Sequence, residues 1–255
     1  MFRSAVVLTI LFLALDLKAQ DQGSKESVTE RVYLIGNSLT WDTVPSKLDG
    51  DVKWHVDCGK NLVFVRDNPL KPCVGSSTLW PQALKEQQFD IVSFQPHYGT
   101  TVDQDVGVIS GWIALQPKAV VVIHTGWPRQ ASLAEERGGT DFAKTLFHGD
   151  VYFDELIKRL RAKYPGREFR STGAMNLLHG IVDDIEKGDA PIDSISELYR
   201  DKIHMTITGG RYLMHNAMRQ ALGQPRSVKG FEKVPVELRE YLDRKLDESR
   251  TLVAK

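Results

Sequence analysis

Two short blocks of this chain carry the residue types that acyl transfer needs. Near the start it reads Gly36-Asn37-Ser38-Leu39-Thr40, directly behind a mostly apolar run from Arg31 to Asn37. Far downstream it reads Asp201-Lys202-Ile203-His204. A serine hydroxyl becomes a competent nucleophile when an imidazole takes its proton, and a carboxylate on the far ring nitrogen fixes the tautomer and stabilises the imidazolium that forms. Three-residue spacing in a tight loop can bring an Asp carboxylate to a His ring N–H. Each block alone has a plainer reading. A Ser behind a strand commonly caps a helix, its hydroxyl satisfying free N–H groups, and a D-x-x-H is commonly an exposed loop pair.

Taken together, an early strand-end G-N-S and a late D-x-x-H resemble the SGNH (GDSL-like) hydrolase family, over Val32 to Gly210. The resemblance implies a serine esterase with Ser38 as nucleophile, His204 as general base and Asp201 as its orienting acid, working through an acyl-enzyme without metal or organic cofactor. It also implies an oxyanion hole of three donors: the nucleophile's own N–H, a Gly N–H after the second strand and an Asn side chain after the third. Gly59, in Asp57-Cys58-Gly59-Lys60, matches the second; lacking a Cβ, it would allow close backbone approach, the alternative being a structural turn glycine. The third departs from the family, because the chain reads Ser93-Phe94-Gln95-Pro96-His97-Tyr98-Gly99 with no G-x-N-D. Some relatives with a G-N-S start are similar in carrying a Gln here. The Gln95 amide is therefore expected as the third donor, with His97 its rival. Asn37 in place of the Asp of GDSL is a milder departure.

The remaining histidines have structural readings first. His55 lies in a strand and reads as core, while His148 and His179 read as packing or surface residues. His215 follows His204 by eleven residues, too far for a helical metal pair. No H-E-x-x-H or clustered ligand set points to zinc, and no G-x-G-x-x-G or P-loop points to a nucleotide. Trp41, His97, Tyr98, His124 and Trp127 fall at or beyond strand ends and are the candidate pocket residues. Flat aromatic faces there would suit a sugar ring, although aromatics at a sheet rim also serve simply as core cover.

These groups need a scaffold that gathers strand ends on one edge. Candidate strands are 31–37, 52–57, 90–95, 119–125 and, more weakly, 168–172; runs such as Ala-Val-Val-Val-Ile-His lack alternation, as strands covered on both faces do. Helical spacing marks 152–164, 174–187 and 208–222. Strands alternating with helices predict an α/β protein: a three-layer α/β/α arrangement around a mostly parallel, doubly wound, flavodoxin-like sheet of about five strands. The hydrolase-like domain is expected over 31–225. A charged segment over 226–255, with Leu238, Leu242 and Leu246 on one stripe, is expected to form a helix packed on the body or to serve a dimer contact.

Lys plus Arg and Asp plus Glu both number 33, so no basic excess exists to neutralise phosphates or an anionic membrane surface. A small-molecule or carbohydrate ester is the expected partner, with nucleic acid disfavoured. Arg3, the apolar run Ala5 to Leu15 and a small residue at Ala19 form an export signal over 1–19, too short for a membrane anchor. A polar linker over 20–30 follows, so the mature protein is expected in the periplasm or outside the cell, without a membrane attachment. An oxidising compartment would permit a disulfide between Cys58 and Cys73, the alternative being two thiols. The function expected is hydrolysis of small acyl esters, acetyl groups on carbohydrate among them. The alternatives are a catalytically weak or inactive carbohydrate-binding protein of the same fold and an interaction domain that dimerises through the tail helix.

Overall fold

The structure, a computed structural model, describes residues 29–136 and 148–253. The export signal over 1–19 and all but the last two residues of the linker lie outside the described residues.

Five strands form one parallel sheet: β1 (Arg31–Gly36), β2 (Asp51–Val56), β3 (Ile91–Phe94), β4 (Val120–Ile123) and β5 (Phe169–Ser171), in the order β2-β1-β3-β4-β5. Side chains alternate across the pleat. Tyr33, Ile35, Val92, Phe94, Val121 and Ile123 point into one apolar layer, and Val32, Leu34, Ile91 and Val122 into another. The first layer is covered by α2 (Leu62–Asp67), α3 (Trp80–Glu86), α4 (Val102–Leu115) and α5 (Asp150–Lys163). The second is covered by α7 (Gly210–Leu222) through Met218, Ala221 and Leu222. Helix α8 (Val236–Val253) packs against both α7 and α6 (Ala174–Lys187). Both sheet faces are thus dry, which explains the unalternated apolar runs of the strands.

The parallel register pairs Gly36 with Val56, Ile35 with Phe94, Phe94 with Ile123 and Ile123 with Ser171. All five strands therefore end at one edge, and Ser38, Gly59, Gln95 and Trp127 follow directly. The direction in which successive strands are added reverses between β1 and β3, the position at which open α/β sheets bind ligands.

The sequence reading missed a short helix, α1 (Ser38–Asp42), along with α2, α3 and α4. Helix α4 is largely buried and contains Gly107 and Gly111, so neither amphipathic spacing nor propensity marks it. Its start did carry a signal: Thr101 and Gln104 cap each other reciprocally. The charged tail helix is shorter than expected. Residues 226–235 are irregular, and α8 contributes Tyr241, Leu242 and Leu246 to the apolar cluster shared with α6 and α7.

Candidate active site

Strand β1 delivers its last residues into a crowded corner. A Cβ on Gly36 would fall on Thr40 Oγ1 and within 2.8 Å of Gln95 Oε1, so only glycine fits there. Asn37 then caps α1: its Oδ1 accepts the Leu39 N–H at 2.9 Å, and its Nδ2 donates to the Lys60 carbonyl at 3.1 Å. Because Asn37 does the capping, the Ser38 hydroxyl is not consumed by the helix terminus. It lies 2.9 Å from His204 Nε2, half-buried at the rim.

His204 sits in the loop after a short 3₁₀ turn, Ile195–Leu198. Its Nδ1 lies 2.9 Å from Asp201 Oδ2, while Asp201 Oδ1 accepts the backbone N–H groups of His204 (2.8 Å) and Ile203 (2.9 Å). With Nδ1–H directed at the carboxylate, Nε2 is the acceptor for the Ser38 hydroxyl. Burial works to raise the Asp201 pKa, but the backbone N–H groups of His204 and Ile203 and the His204 ring outweigh it and hold the carboxyl at about 2. The carboxylate is therefore ionised throughout the range in which imidazoles titrate. The loop itself is tied down by Trp127, whose Nε1 donates to the Ile203 carbonyl at 2.6 Å, and by the Gln130 N–H on the Lys202 carbonyl at 3.0 Å. Ser38, His204 and Asp201 are thus brought together, although 166 residues separate the first two.

Two backbone donors are available nearby. Ser38 is the first residue of α1, and its N–H has no acceptor within the helix. Gly59 lies in the turn after β2 at φ +67°, a conformation that favours glycine, with open space where a Cβ would stand. That turn is closed by the Lys60 N–H on the Asp57 carbonyl and joined to the following loop by a Cys58–Cys73 disulfide, Cα atoms 5.6 Å apart.

Gln95 does not supply the third donor expected of it. Its side chain is fully buried, and Oε1 accepts three hydrogen bonds, from Asn37 N–H (3.0 Å), Thr40 N–H (3.1 Å) and Thr40 Oγ1–H (2.9 Å). The amide nitrogen turns away to the Pro96 carbonyl at 3.4 Å. Three donors on one oxygen fix the orientation of the amide. Gln95 thus satisfies otherwise orphaned N–H groups at the start of α1, a need invisible until α1 itself is known.

The candidate pocket residues fall into two groups. Trp127 is buried with its indole N–H spent on Ile203, and His124 is buried with Nδ1 on Thr172 Oγ1 at 3.0 Å and its pKa pushed down to about 4 by burial. Both are tied into the scaffold. Trp41, His97 and Tyr98 are half-buried at the rim. Trp41 packs edge-on to Trp54 with ring centres 5.8 Å apart, and Tyr98 donates its hydroxyl to Glu136 at 2.7 Å. His97, its pKa pushed down to about 4 by burial and then by Arg129, lines with Leu39, Tyr98, Trp127 and His148 a narrow cleft of about 10 Å³. That is room for roughly one water molecule. A shallow concavity of about 720 Å³ lies at the opposite end of the strands, against Pro117, Lys118, Pro165 and Arg167, and contains no nucleophile–base pair.

No family model matches the sequence, and no curated protein matches it. Solved structures do match in fold. A structure described as a GDSL-like lipase from Parabacteroides merdae aligns with 76% of this chain and 96% of its own, at 12% identity and a TM-score of 0.48. A phospholipase A1 from Streptomyces albidoflavus aligns over 70% and 93%, at 15% identity and 0.37. A family two carbohydrate esterase from Cellvibrio japonicus aligns over 86% of this chain and 62% of its own, at 11% identity and 0.39.

Proposed function

We propose that this protein is a serine esterase. In this reading His204 takes the Ser38 proton as Oγ attacks an ester carbonyl, and the N–H groups of Ser38 and Gly59 stabilise the tetrahedral oxyanion. Collapse expels the alcohol, protonated by His204, and leaves an acyl-enzyme. Water activated by the same imidazole then releases the acid. The observation that carries the reading is the continuous chain Ser38 Oγ–His204 Nε2–Nδ1–Asp201, both contacts at 2.9 Å. Small acyl esters are the proposed substrates, acetyl esters of carbohydrate among them. The half-exposed rim around Ser38 and His204 leaves room for a large alcohol part outside the protein. Export to the periplasm or beyond is part of the proposal; the N-terminal apolar run and a disulfide, which persists in oxidising compartments, support it.

A second reading is a weakly active or inactive binding protein of the same fold. The inward-turned Gln95 favours it, since losing one oxyanion donor costs about 10²- to 10³-fold in kcat. Hydrolysis of p-nitrophenyl acetate by wild type and by Ser38→Ala separates the two. The esterase reading expects turnover that disappears in the variant, together with labelling of wild type by a fluorophosphonate. Equal rates in both proteins would remove it.

A further inference from the structure

Asp42, the last residue of α1, lies one helical turn beyond Ser38 and is wholly buried. A buried carboxylate must find partners, and among the described residues the side-chain partners of Asp42 come from the segment that also carries the base. Oδ1 accepts from Arg211 Nε at 2.9 Å and Nη2 at 2.6 Å, and from Arg200 Nη1 at 3.3 Å. Oδ2 accepts the backbone N–H of Met205, the residue after His204, at 2.8 Å. Arg200 also faces Asp201, Nε to Oδ2 at 3.7 Å, and its own N–H bonds the His204 carbonyl at 2.9 Å. One carboxylate therefore holds the helix of the nucleophile to both ends of the loop that contains Asp201 and His204.

Buried ion pairs are poor sources of net stability, because desolvation offsets their attraction. What they supply is direction. Apolar contact between α1 and the loop would allow sliding, whereas a forked guanidinium and a backbone N–H on one carboxylate fix orientation as well as distance. We propose that Asp42 is a positioning residue for the reaction, setting the approach of the His204 ring to Ser38; this rests on the esterase reading above.

The test measures kcat and KM for p-nitrophenyl acetate, fluorophosphonate labelling rates and denaturant stability, for wild type, Asp42→Asn, Arg211→Lys and Leu160→Ala. Leu160 lies in the core of α5, away from the site, and its truncation provides a destabilised control. Misplacement of a reacting group by 1 Å can cost about 10²-fold. Asp42→Asn is therefore expected to lower kcat by about 10- to 100-fold, with KM within roughly threefold. The labelling rate should fall in parallel. Leu160→Ala is expected to lose stability with kcat unchanged. Should Asp42→Asn not fold, Arg211→Lys keeps the charge and loses the fork, and it is expected to lower kcat by about 3- to 10-fold. Wild-type kcat in folded Asp42→Asn, or in Arg211→Lys where only that variant folds, overturns the proposal and leaves the esterase reading standing. So does a kcat loss matched by Leu160→Ala at equal stability. Absence of Ser38-dependent turnover in wild type would instead remove the esterase reading, and this proposal with it.

Discussion

Replacing Gln95 with Met separates an anchor from an oxyanion donor, because the two roles fail differently. Methionine nearly conserves the volume, so the cavity contribution is small. The variant removes the acceptor for the N–H groups of Asn37 and Thr40, both buried; the Thr40 hydroxyl can turn elsewhere. Each buried donor left without a partner costs about 1–3 kcal/mol, so the two together cost about 2–6 kcal/mol. For a chain of this size that lowers the unfolding midpoint by on the order of 5–15 °C. Activity should fall as well, since Ser38 lies between the two released groups. Urea unfolding followed by circular dichroism, with p-nitrophenyl acetate kinetics on the same preparations, measures both quantities. A variant of unchanged stability that loses hundredfold or more in kcat would refute the anchor and return Gln95 to the oxyanion hole.

Three further outcomes follow from the geometry. Asp201→Asn should keep the loop, because Oδ1 still accepts the N–H groups of Ile203 and His204, but its NH₂ then faces Nδ1 and selects the wrong tautomer. A loss of about 10³- to 10⁴-fold in kcat without unfolding is expected, and full activity would make Asp201 a bystander. Stability should fall on acidification: burial pushes the pKa of His55, His97, His124, His148 and His215 down to about 4, and all but the half-buried His97 are fully buried. Below about pH 6.5 the unfolded chain binds protons that the folded one refuses. Asp105 runs the other way, raised to about 7 by burial against the hydrogen bonds of Tyr152 and Thr100, and returns part of the loss. The net change between pH 8 and pH 5 is on the order of 5 kcal/mol of stability lost, and a flat urea midpoint over that range would contradict it. Finally, paired Cys58→Ser and Cys73→Ser, which open a loop with a sequence separation of 15, should cost about 3 kcal/mol. Indifference of the unfolding midpoint to a reducing agent would show that the bridge contributes nothing.

The strands are legible because a sheet buried on both faces shows mostly apolar runs without alternation; 91–94 and 120–123 fall inside the segments read from sequence. The amphipathic helices α5 and α6 were legible through their spacing. What stayed hidden was everything decided by local capping and tertiary hydrogen bonds. Nothing at Gly36-Asn37-Ser38 says whether Asn or Ser caps the helix, and the answer determines whether the serine hydroxyl is free. Gln95 and Trp127 fall at the expected edge of the sheet, but sequence does not show what they bond: the Gln95 amide, expected at an oxyanion, faces α1, and the Trp127 indole, for which sugar stacking and core cover both stand open, holds the Ile203 carbonyl. Asp42 gave no signal at all, because its partners lie 158 residues and more along the chain.

The order of elements along the chain has a consequence for timing. Strand β5 closes at Ser171, so the whole sheet and Ser38 are specified before the chain reaches Asp201, His204 or Arg211. Helix α7, which covers the second face of the sheet, belongs to that later stretch too, so a polypeptide that stops short of it has neither a covered sheet nor a base beside its hydroxyl. On the esterase reading, the last cover of the sheet and the base for Ser38 arrive together, so hydrolytic power waits on the same segment that seals the core.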